Sequence, residues 1–308
     1  MKFLVKFKDG HMEVLPSSEF LGEDSFPLKF QYIYDGYYLI KASKEYEECL
    51  GKKLLSINDY SLEDLERVFS EIIPIENKLS LQYYLPSKMV EPVLWDFLNL
   101  KRANTLECVF EDAKINVKVE KYDVELVSLF KKDEKIYWGE YMEDTSTYYF
   151  VYNSCEEIEG YNISRVVEDL ERLKFKNIII DLRNNTGGDS DVLKPLIDFL
   201  EREKENLRVF VFVGIDTYPS GIINLMEIME IGGSISIGEI PHGCPSHFGE
   251  TKKIILPNSK LEIQISTKEF LFDGYEIGDV FLPEHNVQRR ISDYVKNTDP
   301  FMGVFKIY

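Results

Sequence analysis

Cysteine is sparse in this chain of 308 residues, and its four copies, Cys49, Cys108, Cys155 and Cys244, stand far apart with no C-x-x-C pair. That spacing offers neither a zinc-ribbon pattern nor a disulfide framework, so the thiols read as reduced and mostly structural. Histidine is equally rare, at four, which confines imidazole chemistry to a handful of positions. Long apolar runs are missing as well: no window approaches the ~20 residues of a membrane span. The first ten residues, MKFLVKFKDG, hold three lysines and an aspartate, where a secretion signal needs an apolar core of roughly 7–15 residues. As written the chain is expected in the cytoplasm, and an exported form would need a longer precursor trimmed before residue 1. Positive charge is also in deficit. Thirty-six Lys plus Arg against fifty-four Asp plus Glu leave a net charge of −18, which makes nucleic acid and anionic membranes poor partners.

What is present is an ordinary soluble composition, 44% hydrophobic and 29% charged, with 19 tyrosines and 20 phenylalanines. The length allows two or three cores, and the aromatic content suits β-rich structure and extended polypeptide partners. Residues 1 to 47 read as strands with polar turns: FLVKF, MEVL, FQYIY, and YYLIKA beyond Asp35-Gly36. The next stretch opens at Gly51 with a short strand, Lys53 to Ile57, and a turn at Asn58-Asp59. Ser61 and Asp64 then form a capping-box pattern before a helix with Leu62, Leu65, Val68, Phe69 and Ile72 on one face. LSLQYYL is expected to close this module as a strand, and INVKVEKYDVELV and TYYFVYN to add further sheet.

From Asn162 the grammar changes to alternating helix and strand: helix 162–176, strand 177–182, helix 189–203, strand 207–215, helix 220–231 and strand 234–238. Strands separated by helices of that length imply parallel pairing through crossovers. A hairpin, KKIILPNSKLEIQIS, turns at Pro257-Asn258.

Two segments in this region carry chemistry. NIIIDLRNNTGGDSD, at 177–191, is an apolar strand that runs through Gly187-Gly188 toward a helix. Such a junction leaves backbone N–H groups where an oxyanion is best held. DTYPSG, at 216–221, repeats the geometry and opens a helix on Ser220-Gly221. One strand end supplies donors and the next supplies a hydroxyl, which suggests acyl chemistry. A serine before an amphipathic helix is more often an N-cap accepting from the backbone, and a glycine pair is usually a turn. Asp181 and Arg183 are expected to pair at the strand end and fix the loop.

The runs IIIDLRNNTGGDS and TYPSG, the pair Gly238-Glu239, PSHFGE with ILPNSKLEIQISTK, and the closing FLPEHNV and DYVKNTDP together resemble the tail-specific, or C-terminal-processing, serine proteases. The tricorn-core-like branch is the nearer one. LGKKLLSINDYSLEDL is similar to that family's PDZ-like module, and KDGHMEV resembles its DGHT motif. The resemblance implies an α+β / α/β architecture, with a ClpP/crotonase-like core of ββα units and an N-terminal β-rich PDZ-like module. It divides the chain into a β segment carrying DGH (1–47), the PDZ-like module (48–100) and the peptidase core (101–308, with a connecting β region over 101–150).

The resemblance further implies a serine endopeptidase. Ser220 is its nucleophile, His11 the general base, and the Gly188 and Gly221 N–H groups the oxyanion hole. The first lysine after Ser220 is Lys252, which disfavours a Ser–Lys dyad. His242, His247 and Gly187 are candidates to line the substrate cleft, and either histidine is a reserve base. PHGCPSH does not have zinc-site spacing, and no metal or organic cofactor is expected. The expected partner is a polypeptide substrate, and a homo-oligomer is compatible with the sequence. Glu239, Asp273 and Glu276 are candidates to orient the histidine.

The chain departs from the family pattern at Met12, where threonine is usual, at Pro219, where serine is usual, and at Gly10, where tricorn itself has a serine. These changes motivate the alternative of a catalytically inactive, peptide-binding member. An acyl-CoA enzyme of the crotonase kind is a weaker rival, since no CoA phosphate site is offered.

Overall fold

Tyr37-Tyr38-Leu39-Ile40 is apolar without alternation, the mark of a strand buried on both faces. In the computed structural model, which describes residues 1–15, 24–100, 105–121 and 124–308, this run lies in the strand Gly36–Ser43. That strand is the middle of a three-stranded antiparallel sheet, between Leu28–Ile33 and Leu126–Ser128. The turn before it sets Tyr34 at φ 52°. The described chain divides into two compact units, one of Met1–Lys131, Phe248–Glu269 and Arg289–Thr298, the other of Lys132–His247, Phe270–Gln288 and Asp299–Tyr308.

In the first unit the strand Leu54–Ile57 turns at Asn58 (φ 52°) into Tyr60–Ser61. Together with Thr105–Phe110 and Lys114–Lys118 these make a four-stranded antiparallel sheet. Ser61 caps the helix Leu62–Phe69, its Oγ accepting from the Asp64 N–H at 3.1 Å, and Leu65 and Phe69 are fully buried beneath it. A third sheet joins Glu13–Leu15 to the hairpin strands Glu262–Phe270 and His247–Ile255.

Two expected strands of this unit are helices. LSLQYYL belongs to the helix Lys78–Lys88, capped by Asn77, whose Oδ1 accepts from the Ser80 N–H at 2.9 Å. Leu81 and Leu85, four apart, are its buried anchors; a short apolar run satisfies both periods, and the cap decides between them. FLVKF contains a short 3-10 helix, Leu4–Phe7, with only Leu4 buried. Of the sheet expected over 115–127, Tyr122 and Asp123 lie outside the described residues, as do residues 101–104 of the connecting region.

The second unit is built on a six-stranded sheet in the order Tyr137–Met142, Thr147–Tyr152, Asn177–Asp181, Arg208–Val213, Ile235–Gly238 and His285–Asn286. The first pair is an antiparallel hairpin and every later pair is parallel. The connecting helices are Ile163–Leu170, Lys194–Glu203 and Ser220–Glu230. The first ends six residues short of its expected limit at 176, and the second is entered through a 3-10 turn, Ser190–Leu193.

Alternation along the strands splits this core in two. Ile178 and Ile180 join Leu196, Leu200, Ile222 and Leu225 from the connecting helices. Ile179 faces the other way, with Phe210, Phe212, Ile237, Phe301 and Phe305. Both faces of the parallel strands are therefore covered, each fully buried large side chain contributing about 1.5–3 kcal/mol of transfer free energy.

Arg183 and Asp181 form a buried ion pair at the end of the central strand, with Nη2–Oδ2 at 2.6 Å. The guanidinium also donates to Tyr149 Oη at 3.0 Å and to Asp299 Oδ2 at 2.8 Å, and it lies over the rings of Phe212 and Phe301. Burial alone would raise the Asp181 pKa, but the charge and hydrogen bonds of Arg183 and the Tyr149 hydroxyl hold it below the ordinary carboxylate value.

Two outcomes are expected from this pair. Arg183→Met leaves a buried carboxylate unpaired and should cost about 3–5 kcal/mol of unfolding free energy, seen as a lower urea midpoint. Because the folded pKa of Asp181 is depressed, its contribution is complete above about pH 3.9 and is lost as pH falls through the folded value. The acid-side drop in urea midpoint should therefore be shallower in Asp181→Asn, and an unchanged acid limb would contradict this linkage.

Candidate active site

The strand Asn177–Asp181 delivers the chain to Gly187 (φ 100°) and Gly188 (φ 129°), a backbone that L-side chains rarely adopt. Close approach requires glycine here too. A Cβ on Gly188 would lie 2.4 Å from the Cys155 carbonyl oxygen, and one on Gly187 would lie 2.5 Å from the Pro219 ring. Cys155 clamps the pair from the far side, its N–H donating to Gly187 O at 2.8 Å and its carbonyl accepting from the Asp189 N–H at 2.9 Å. Since C=O and N–H are opposed across a trans peptide, the Gly188 N–H points away from Cys155.

Asn185, fully buried, organises this loop. Its Oδ1 accepts from the Gly187 N–H at 2.9 Å, and its Nδ2 donates to Tyr152 O at 2.9 Å. Its carbonyl accepts from the Tyr218 N–H at 2.9 Å. The Asn185 side chain also packs so tightly on Gly221 that a Cβ there would come within 2.9 Å of Oδ1. One side chain thus joins the end of the strand Thr147–Tyr152, the glycine loop and the turn into the Ser220 helix. Its place between a strand end and a glycine pair is the sequence signal that marks it.

Ser220 is the first residue of its helix and 93% buried, with Pro219 in the N-cap position. The serine does not cap. Its Oγ–H donates to the Gly188 carbonyl at 2.6 Å, and the helix start is closed instead by Pro219 O, which accepts from Ile222 and Ile223. Gly221 lies in the first turn, where N–H groups lack intrahelical acceptors. Upstream, Thr217 Oγ1 accepts from the Gly214 N–H and donates to Leu182 O at 2.8 Å, tying the two strand ends together.

Below the loop, the Cys155 thiol donates to Asn185 Oδ1 at 3.4 Å and to Asn224 Oδ1 at 3.5 Å. Burial pushes its pKa up to about 11, so it serves as a neutral donor.

His242 and His247 are both buried. His242 Nδ1 meets Ile215 O at 2.5 Å, and its ring stacks on Tyr218 at 4.7 Å. Gly243 packs on Ile222 and Thr217, so this loop seats against the segment that carries Ser220. His247 Nδ1 faces the carbonyls of Cys244 (2.9 Å) and Pro245 (3.1 Å), and its ring stacks on Phe270 at 5.3 Å. A ring nitrogen facing carbonyls must carry the proton, which leaves Nε2 as the acceptor in each neutral ring.

His11 belongs to the first unit. Its backbone N–H donates to Asp9 Oδ1 at 2.9 Å, its Nδ1 lies 3.6 Å from the same oxygen, and its carbonyl accepts from Gln264 Nε2 at 3.0 Å. Asp9 is 98% buried. Burial would raise its pKa, but hydrogen bonding to His11 keeps it below the ordinary value. Glu76, also buried, places a carboxylate oxygen so that the ligand atoms of Asp9, His11 and Glu76 lie within 4.8 Å of one another. Of the acids expected to orient a histidine, Asp273 and Glu276 are exposed and Glu239 is buried. Asp9 was not among them, although it stands two residues before His11.

The structure therefore gathers Gly187, Gly188, Ser220 and Gly221 around Asn185, seats His242 against the same turn, and stacks His247 on Phe270.

No family model matches the sequence, and no curated protein matches it. Solved structures do. Mature CPAF aligns over 99% of this chain and 85% of its own, with a TM-score of 0.65 at 10% identity. Its complex with lactacystin gives 0.65 at 10% identity, over 99% and 86%. The photosystem II D1 C-terminal processing protease aligns over 93% of this chain and 80% of its own, with a TM-score of 0.47 at 10% identity. At such identity the likeness is one of architecture, and this mixed α/β chain has the fold of mature CPAF.

Proposed function

We propose that this chain is a serine endopeptidase of the tail-specific protease family, of the tricorn-core-like kind, acting on extended polypeptides. The observation that carries the reading is the Ser220 hydroxyl. It starts a helix without capping it and is turned onto the glycine loop, 2.6 Å from Gly188 O. A serine spared from capping, beside two glycines where any side chain would be strained, suits a nucleophile facing an oxyanion site.

In this mechanism Ser220 Oγ leaves the Gly188 carbonyl and forms a bond to the scissile carbonyl carbon, and its proton passes to His11 Nε2. The carbonyl electron pair moves onto oxygen, which the Gly188 and Gly221 N–H groups hold. Collapse breaks the C–N bond as the imidazolium returns the proton to the leaving amine, and water then cleaves the acyl ester by the same route. Gly187, His242 and His247 line the cleft in this reading. The module over 48–100 is PDZ-like in this reading, a kind of module that takes a peptide by strand addition.

The rival is a silent peptide-binding member. It is favoured by the same 2.6 Å bond, in which a main-chain carbonyl, not an imidazole, accepts the hydrogen bond of the serine hydroxyl.

A fluorophosphonate probe decides between them. The expected result is a covalent adduct mapped to Ser220, absent in Ser220→Ala and formed ~10²–10⁴-fold more slowly in His11→Ala. A folded wild-type chain that takes no label would overturn the peptidase reading. Slow labelling in His242→Ala, with His11→Ala unaffected, would transfer the base to His242.

A further inference from the structure

We propose that Asn224 is a positioning residue of the oxyanion loop, tying the exit of the glycine pair to the Ser220 helix while the Ser220 hydroxyl leaves Gly188 O to attack; this rests on the reading of Ser220 and Gly188 as nucleophile and oxyanion donor. Asn224 stands four residues after Ser220 in the helix Ser220–Glu230, about 6 Å along its axis and on the same face. It is fully buried, so its amide has to find partners inside the protein.

Three bonds make the tie. Nδ2 donates to Ser190 O at 2.9 Å and to Glu227 Oε2 at 3.2 Å, and Oδ1 accepts from the Cys155 thiol at 3.5 Å. Ser190 O can only accept, so the nitrogen edge must face it, and Oδ1 is thereby turned to the thiol. Ser190 lies two residues beyond Gly188. Cys155 lies across the loop, where its main chain already bonds Gly187 O and the Asp189 N–H. Gly188 is therefore flanked by two segments that Asn224 holds.

The need for such a tie follows from the attack itself. In the resting site the Ser220 Oγ–H bond to Gly188 O draws loop and helix together at 2.6 Å. That bond breaks when Oγ turns to the scissile carbonyl, at the moment when the Gly188 N–H must stay in place for the oxyanion. Asn185 fixes the entrance of the loop through the Gly187 and Tyr218 N–H groups, and Asn224 fixes its exit. Breaking the Asn224 bonds would leave buried polar groups unsatisfied, so the tie persists as the serine moves. Asn224 touches no reacting atom in this account and acts only through the loop.

The test reads the loop and the reaction separately. In Asn224→Leu, which has a similar shape but makes none of these bonds, amide hydrogen exchange at Cys155 and Asp189 should quicken by about tenfold or more, with the strand Arg208–Val213 unchanged. Exchange raised equally in loop and strand, or in neither, would overturn the inference, whatever the chain catalyses. Fluorophosphonate labelling of Ser220 and peptide kcat should fall roughly 10²-fold with KM little changed; an unchanged kcat would overturn it as well.

Rescue distinguishes a directed bond from packing alone. Cys155→Ser keeps a donor toward Asn224 Oδ1 and should label at Ser220 faster than Cys155→Ala; equal rates would overturn the inference. Should Asn224→Leu fail to fold, the wild-type side chain decides: both Nδ2 hydrogens should exchange about 10²-fold or more slowly than those of a solvent-exposed asparagine, and fast exchange would overturn the tie. A folded wild-type chain that takes no label sinks the peptidase reading by itself, and the exchange measurements then still decide whether Asn224 holds the loop.

Discussion

A primary amide buried beyond the reach of water must find partners for its oxygen and its nitrogen, or the fold carries the desolvation cost. Asn185 Oδ1 accepts from Gly187 and Cys155, its Nδ2 donates to Tyr152 O, and its main-chain carbonyl takes Tyr218. Because these partners come from a strand end, the glycine loop and the turn before Ser220, satisfying one residue sets the distance between Gly188 and the serine. The glycines follow from this constraint. A Cβ at 187, 188 or 221 would press on Pro219, Cys155 or Asn185 itself, so the packing that builds the site also favours glycine at these positions.

The second organising constraint is buried negative charge. At the end of the strand Asn177–Asp181, Asp181 is matched by a full guanidinium, and Arg183 is in turn flanked by Asp299 and two phenylalanine rings. That arrangement is static: a permanently charged partner locks the strand end and the C-terminal helix Pro300–Phe305 onto one face of the sheet. Asp9 sits beside an imidazole instead. There one carboxylate oxygen serves the backbone N–H and faces the ring of a single residue, His11.

Much of this architecture was legible in the sequence because local signals agreed with one another. The Ser61–Asp64 cap, the Asn58-Asp59 turn, the triple isoleucine at 178–180 and the helix opening on Ser220 all lie where short-range rules put them. LSLQYYL failed because its leucines and tyrosines fit a two-residue and a four-residue period equally. The Asn77 cap and the burial of Leu81 and Leu85 settled it as helix. FLVKF failed for a different reason: among the described residues no strand pairs with it, and a lone apolar pentapeptide has no ladder to join.

The candidate site was half visible. The glycine pair and the serine stand out because turns and helix starts are local events, and the family resemblance rests on those same residues. Asn185, Cys155 and Asp9 did not stand out, since what marks them is burial and the identity of their partners.

By itself, then, the sequence determined the alternating strands and helices between Asn162 and Gly238, that the strand Asn177–Asp181 is buried, and where a glycine pair and a helix-opening serine stand along the chain. Those are consequences of period, capping and backbone permissiveness within a few residues. Only the tertiary structure decided that the Ser220 hydroxyl turns to Gly188 O instead of capping its own helix. It alone decided, too, that Asn185 spans the glycine loop and that Asp9 faces His11. Each of these outcomes depends on which distant backbone and side-chain groups are close enough to satisfy a buried polar atom, and no local rule along the chain contains that information.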